Sequence, residues 1–265
     1  MKKLFDFYIH SSIHVGLAIT ALAFVTYYFF EIPINVWVIA FVFFSSVVGY
    51  NYTKYTTILL KKDLNTEYKT IQLLTFLSVL IAGFCFFKLS FVSQITIMIT
   101  GLLTSLYALS VFNHKNIRSI SGIKIYIVAL CWVGITLLLP LFEADYPINS
   151  DVIVKCFQRF LLVIILILIF EIIDLKEDSP SLKTVPQTIG VRNTKILGIL
   201  LLILFFYLEF SLSEYKISQL LINGILAVSV LLFTLFANEK KSKYYTTFWV
   251  ESIPILWLVL IVLFR

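Results

Sequence analysis

Apolar residues fall into nine runs along the chain, each long enough to cross a bilayer and each bounded by a short polar segment. The runs cover roughly residues 12–30, 34–53, 69–87, 91–112, 122–142, 152–174, 194–212, 217–237 and 247–264. A membrane span consumes about 20 residues, so nine spans use nearly all of the chain. The pattern predicts an all-α integral membrane protein, a bundle of about nine transmembrane helices. It forms a single transmembrane domain over residues 1–265, with no room for a separate soluble domain. Helices are the expected element because each satisfies its own backbone hydrogen bonds in lipid. The opening Met1-Lys2-Lys3 imitates a signal peptide. The run behind it is long enough to span and no small-residue cleavage site follows, so it reads as the first helix.

Composition supports the lipid environment. Only 14% of residues are charged, 60% are hydrophobic, and the mean hydropathy is +0.97. Soluble domains carry about 25% charged residues. The net charge of +6 does not point to nucleic acid, because the basic residues recur in short loops between apolar runs. Sorted into alternate loops, 16 Lys and Arg fall on one side and 5 on the other. The positive-inside rule then makes the N-terminus cytoplasmic and the C-terminus external; the expected location is a bacterial inner membrane. The longer polar segments, about 54–68, 113–121 and 175–193, all fall on the basic side, so any chemistry is expected to open there. Cys85, Cys131 and Cys156 lie in or beside apolar runs without CxxC spacing, which gives no disulfide framework or zinc site.

The densest chemistry ends the sixth run, Phe170-Glu171-Ile172-Ile173-Asp174-Leu175-Lys176-Glu177-Asp178. Glu171, Asp174 and Asp178 are spaced i, i+3, i+7, which places them within about 60° on one helix face. Carboxylates so placed repel unless a cation joins them, and Mg²⁺ takes one or two carboxylates plus phosphate oxygens. Ionisable groups at the membrane boundary are costly and point to function; the bland alternative is a helix end whose acids are solvated. The loop that follows carries two prolines and Gly190, then Lys183, Arg192 and Lys195 add positive charge. Acids for a metal with basic residues for phosphate suit a metal-bridged diphosphate.

These residues resemble the UbiA superfamily of intramembrane prenyltransferases. Asp174-x-x-x-Asp178, then Lys183-Thr184-x-Pro186, then Gly190 is similar to that family's second aspartate-rich motif and its following loop. More weakly, Gly49-Tyr50-Asn51 ends the second run where the family's first motif begins with Asn. Tyr107, followed by Lys115 and Arg118, resembles its tyrosine-then-basic segment. The resemblance implies a UbiA-like bundle and transfer from a polyprenyl diphosphate to an aromatic or other lipophilic acceptor. It also implies Mg²⁺ on Asp174 and Asp178, with Glu171 supporting. Asn51, Lys183, Arg192, Tyr107 and Arg118 become candidate substrate contacts.

The first motif departs from the family, since no acid follows Asn51 before Leu59. Lys54, one turn on, could meet a diphosphate oxygen where a metal would otherwise stand, or merely end the span. Glu251 lies about one turn inside the last run. Pro254 frees the Val250 carbonyl and predicts a kink there. Glu251 could bind an acceptor hydroxyl, pair with Lys54 or Arg118, or snorkel to the interface. His10 and His14, four apart, lack a third metal ligand, and His114 reads as solvated. The many Phe and Tyr suit either a prenyl tunnel or a lipid-facing surface. Beside the prenyltransferase stand two further readings: a catalytically inactive UbiA-fold protein that binds a prenyl lipid or a partner protein, and a small transporter. The transporter is expected to show broken helices or paired halves.

Overall fold

The computed structural model describes residues 2–59, 66–112, 123–214 and 216–264, with the side chains of 56–59, 106–112, 123 and 181 outside that description. All described secondary structure is helical: α1 (Lys2–His10), α2 (Ile13–Phe29), α3 (Val36–Leu59), α4 (Thr66–Phe86), α5 (Phe91–Phe112), α6 (Ile123–Val133), α7 (Leu139–Glu143), α8 (Ser150–Asp174), α9 (Val185–Tyr207), α10 (Ile217–Phe236) and α11 (Ile253–Phe264). Each apolar run has its helix. Seven helices or helix groups among the described residues are long and apolar enough to cross a membrane, and α1 with α2, bent by 58°, makes an eighth. Helix α5 is also apolar, and the searched part, Phe91–Ser105, is shorter than a span. The chain is an integral, multi-pass membrane protein.

The breaks in the helices have local causes. Ser12, at φ 61°, turns α1 away from α2. Pro140 has no N–H to offer the Thr136 carbonyl; the preceding residues widen into a π-helix, Gly134–Leu138, and the Thr136 carbonyl accepts the Thr26 hydroxyl at 2.7 Å. Pro254 acts alike in the last span, where a π-helix, Tyr245–Val250, precedes α11. The seventh run begins earlier than its apolar residues suggest. Thr184 and Gln187 form a capping box that starts α9 at Val185 with Pro186 in its first turn. Gly190, at φ 81° and ψ 156°, then breaks the helix in a conformation essentially restricted to glycine.

Helix α8 is the central post. Ile165, Ile169 and Ile172 are almost fully buried, and α6 and α9 pack along it. Helix α2 lies between α3 and α11. Lys155 and Arg159 counted as outer-side charges in the sequence, but they lie inside the bundle. Lys155 pairs with buried Glu209 at 2.8 Å, and Gln158 and Asn223 donate to the same carboxylate oxygen at 2.9 and 2.7 Å. The Arg159 guanidinium donates to the Leu22 carbonyl at 3.0 Å and to Thr136 Oγ1 at 2.7 Å, and lies over the Trp257 ring at 5.4 Å. These pairings offset most of the cost of holding such charges away from water, while Arg159 Nε, Gln158 Oε1 and Glu209 Oε1 have no hydrogen-bond partner among the described residues.

Candidate functional site

The bundle holds a partly open cavity of about 700 Å³. Most of its wall is apolar, contributed by α2, α3, α4, α5, α6 and α8 through residues such as Ile19, Phe41, Phe86, Ile97, Trp132 and Leu166. Among the described residues, the charged side chains on its wall are Lys124, Glu171, Asp174, Asp178 and Glu251. They gather toward one end of the bundle, where α6 begins, α8 ends and the last span starts. Salt bridges of the α10–α11 connection to the segment after α8 tie that end together. Lys176 meets Glu239 at 3.4 Å, and Lys243 pairs with Glu177. The hydrogen bond to Glu177 raises the Lys243 ammonium above its ordinary value, with Asp174 adding a smaller attraction.

Glu171 and Asp174 at the end of α8 and Asp178 in the turn after it all line the cavity; the helix expected to carry all three stops at Asp174. Glu171 is only 7% exposed, and its Oε2 accepts the Val185 N–H at 3.0 Å. A carboxylate at that position suits the free N–H groups of the α9 start. Asp174 and Asp178 repel each other, and Lys124 attracts both Glu171 and Asp174. Among the described residues, no three His, Cys, Asp or Glu side chains are gathered closely enough to hold a metal ion by themselves. Two mutually repelling carboxylates beside one ammonium do fit a Mg²⁺ ion whose remaining ligands are phosphate oxygens and water. Asp174 and Asp178 would hold it, and Glu171 has one oxygen engaged by the backbone.

The other candidates are dispersed around this end. Lys183 and Arg192 are exposed near it and are not part of the cavity wall; Lys183 sits at φ 47° in the turn before the capping box. Asn51 is buried off the cavity. Its Nδ2 donates to the Ser11 carbonyl at 3.1 Å and to Thr75 Oγ1 at 2.9 Å, tying the α1–α2 junction to α3 and α4. Lys54 donates to Ser12 Oγ at 3.3 Å and lies 5.9 Å from the Tyr50 ring centre. Electrostatically it is coupled to Glu251 across the α3 and last-span ends. Tyr107 lies in α5 with its side chain outside the described residues, and Arg118 and Lys115 fall outside them altogether. His14 is a staple: Tyr8 Oη lies 2.7 Å from its Nδ1, and the Phe248 carbonyl 3.0 Å from its Nε2. His10 instead meets Glu67 at 2.9 Å, so the two histidines do not converge.

Sequence reasoning missed Lys124, the cavity's basic residue. Its signal was present: it opens an apolar run on the basic side, but looks there like any topology charge. It also missed the bond from Trp132 Nε1 to Tyr50 Oη, 3.2 Å long, which joins α6 to α3 across the wall.

No protein-family profile matches the sequence, and no curated protein matches it. Among solved structures, the chain is similar to digeranylgeranylglyceryl phosphate synthase, a UbiA-superfamily prenyltransferase, at a TM-score of 0.58 and 15% identity. The similarity covers 99% of this chain and 98% of that one. The two share a fold from end to end, and the UbiA-like bundle expected from the motif at Asp174 and Asp178 is the fold observed.

Proposed function

We propose that this protein is a membrane prenyltransferase that moves a polyprenyl group from its diphosphate to a lipophilic acceptor. The observation that carries the reading is a cavity whose wall is mostly apolar and that ends at Glu171, Asp174 and Asp178. An isoprenoid chain suits the apolar part, and the volume falls within the range of about 300–1,000 Å³ that ligand pockets occupy. The diphosphate then lies at the carboxylate end. When bound, Mg²⁺ on Asp174 and Asp178 supplies positive charge to the departing diphosphate. Lys124 adds charge from the cavity wall, and Lys183 and Arg192 add it from the rim. The C1–O bond breaks with its electron pair going to the diphosphate, and the dry apolar wall keeps water from the allylic centre. The excess of Lys and Arg in the loops at this end supports a cytoplasmic position for it. Lys54 does not line the cavity and bonds Ser12 Oγ at 3.3 Å, so the geometry gives it no direct part in diphosphate binding.

The alternative is a UbiA-fold protein that binds a prenyl lipid or a partner protein without turnover. The absence of any acid between Asn51 and Leu59 favours it. Release of pyrophosphate from geranylgeranyl diphosphate by the protein in lipid vesicles with a membrane lipid extract separates the two. Release that Asp174→Asn abolishes supports the transferase. Tight prenyl binding with no release supports the alternative.

A further inference from the structure

Where α1 meets the start of the last span, two pairs of lysines come to one flank of the bundle. Helix α1 is bent by 58° from α2 and so does not continue that span. One of its faces is committed to protein. Ile9 is buried, and the Phe5 ring lies 5.1 Å from the Phe248 ring and 5.7 Å from the Tyr244 ring, centre to centre. Tyr244 Oη donates to the Asp6 carboxylate. Lys2, Lys3 and Leu4, at the start of α1, are all exposed. Lys240 and Lys241, also exposed, stand in the turn just before Tyr244, and the Lys241 ammonium lies 5.5 Å from the Tyr245 ring centre. The contacts of Phe5 and Asp6 with Tyr244 therefore join the two lysine pairs into one patch. The acids around it are engaged elsewhere: Glu239 with Lys176, Glu177 with Lys243, Glu67 with His10 and Asp6 with Tyr244. None of the four lysines forms a salt bridge with a described acid. One turn into the span from Tyr245 stands Trp249, also exposed, and an indole there suits the headgroup level of a bilayer.

We propose that Lys2, Lys3, Lys240 and Lys241 form a binding site for the headgroups of anionic phospholipids in the surrounding bilayer. The four ammonium groups sit at the end of a span, where lipid phosphates lie, and a lysine near an anionic leaflet gains attraction that it lacks in free solution. A short helix that carries Lys beside exposed Leu, and leaves the direction of its span, has the make-up of an element lying in the interface. Leu4 and Trp249 offer apolar surface to acyl chains beside the same lysines, which a water-soluble anion would not use. A headgroup held between the α1 pair and the Lys240–Lys241 pair bridges the two elements, and so supports the packing of α1 on the start of the last span. The site does not depend on prenyl transfer: a non-catalytic chain of this fold would carry it too.

The test reads Trp249 fluorescence in the full chain reconstituted into phosphatidylcholine bilayers. Trp132 and Trp257 are buried, so Trp37→Phe leaves Trp249 as the exposed indole. Increasing shares of the lipid are replaced by phosphatidylglycerol, or in a parallel series by phosphatidylcholine, brominated on the acyl chains close to the headgroup. Bromine quenches an indole that it touches, so the two curves give the relative affinity of the two headgroups at this patch. Phosphatidylglycerol is expected to be favoured about fivefold, the equivalent of one lysine–headgroup attraction. The preference should shrink at high salt, fall to about parity when Lys2→Gln, Lys3→Gln, Lys240→Gln and Lys241→Gln are combined, and persist when the same four are changed to Arg. Equal quenching by the two lipids in the protein with all four lysines overturns the site. A preference that survives the four Gln substitutions overturns it too. Salt decides the matter if the Gln variant does not fold: a preference that high salt leaves unchanged is not electrostatic, and the site falls.

Discussion

On the prenyl-transfer proposal, three glycines on the cavity wall would act as a ruler for the prenyl chain. Gly49, Gly83 and Gly101 lie on α3, α4 and α5, and a Cβ added to each meets nothing within 4 Å. Glycine in a membrane helix usually lets a second helix approach closely, as at Gly134, where Thr100 Oγ1 lies 2.7 Å from the added Cβ. The three wall glycines have no such neighbour, yet each costs its helix about 0.5–1 kcal/mol relative to alanine. On that proposal, space for the prenyl chain accounts for them. Their depths differ. Glu143 bonds the Asn35 amide at 3.2 Å and the Ser90 N–H at 2.9 Å, so the α2–α3 and α4–α5 turns sit at one level, far from Asp174. Gly83 is three residues from that end of α4, Gly101 ten residues from that end of α5, and Gly49 thirteen from that end of α3. At about 1.5 Å per residue these are depths of roughly 5, 15 and 20 Å. An isoprene unit advances about 5 Å at ordinary bond lengths, so the first two positions are about two units apart. Leucine at each, assayed by calorimetry with non-hydrolysable geranyl, farnesyl and geranylgeranyl diphosphate analogues, is expected to give a graded result. Overpacking against a chain that reaches the position costs about 1–3 kcal/mol, or roughly 5- to 150-fold in Kd. Gly49→Leu weakens even the shorter chains, Gly101→Leu the longer ones, and Gly83→Leu the longest that the cavity accepts. An equal loss for all three chain lengths at every position, or the reverse order, refutes the reasoning.

Further expectations concern the frame around the cavity. Lys155→Met alone or Glu209→Leu alone leaves a buried charge unpaired and is expected to cost about 3–5 kcal/mol. The double variant should recover most of it, which thermal unfolding in detergent measures; single variants as stable as the wild type would contradict the pairing. Gly190→Ala forces a side chain into a region essentially restricted to glycine, at about 1–3 kcal/mol, and should weaken donor-analogue binding by shifting the segment whose Val185 N–H holds Glu171. His14→Phe removes the staple between α2 and the last span and should cost about 1–3 kcal/mol through the donors and acceptors it leaves behind, read in the same unfolding assay.

The helices were legible because lipid demands long apolar runs, and nine such runs each became a helix. Pro254 marked the broken last span in advance, since a missing N–H has a fixed consequence four residues back. Pro140 carries the same signal and passed unread, because its π-helix lies inside an unbroken apolar stretch. The α9 start was misplaced, as a hydropathy pattern cannot see a capping box built of Thr184 and Gln187. Lys155 and Arg159 looked like loop charges, since their compensation comes from Glu209, Asn223, Leu22 and Thr136, all distant in sequence. The i, i+3 spacing put Glu171 and Asp174 on one face without help from the fold, whereas Asp178 reaches the same cavity from the turn after α8, which the spacing read as helix. The cavity they share with Lys124 and Glu251 depends on how helices far apart in the chain pack, and no local pattern encodes it.

The central claim is a diphosphate site at the carboxylate end of the cavity. Titration calorimetry of the purified protein in detergent with a non-hydrolysable geranylgeranyl diphosphate analogue, with and without Mg²⁺, tests it most directly beside Asp174→Ala. The account expects binding that strengthens with Mg²⁺ and is lost in Asp174→Ala. Absence of binding by folded wild-type protein, or binding indifferent to both Mg²⁺ and Asp174, would contradict it.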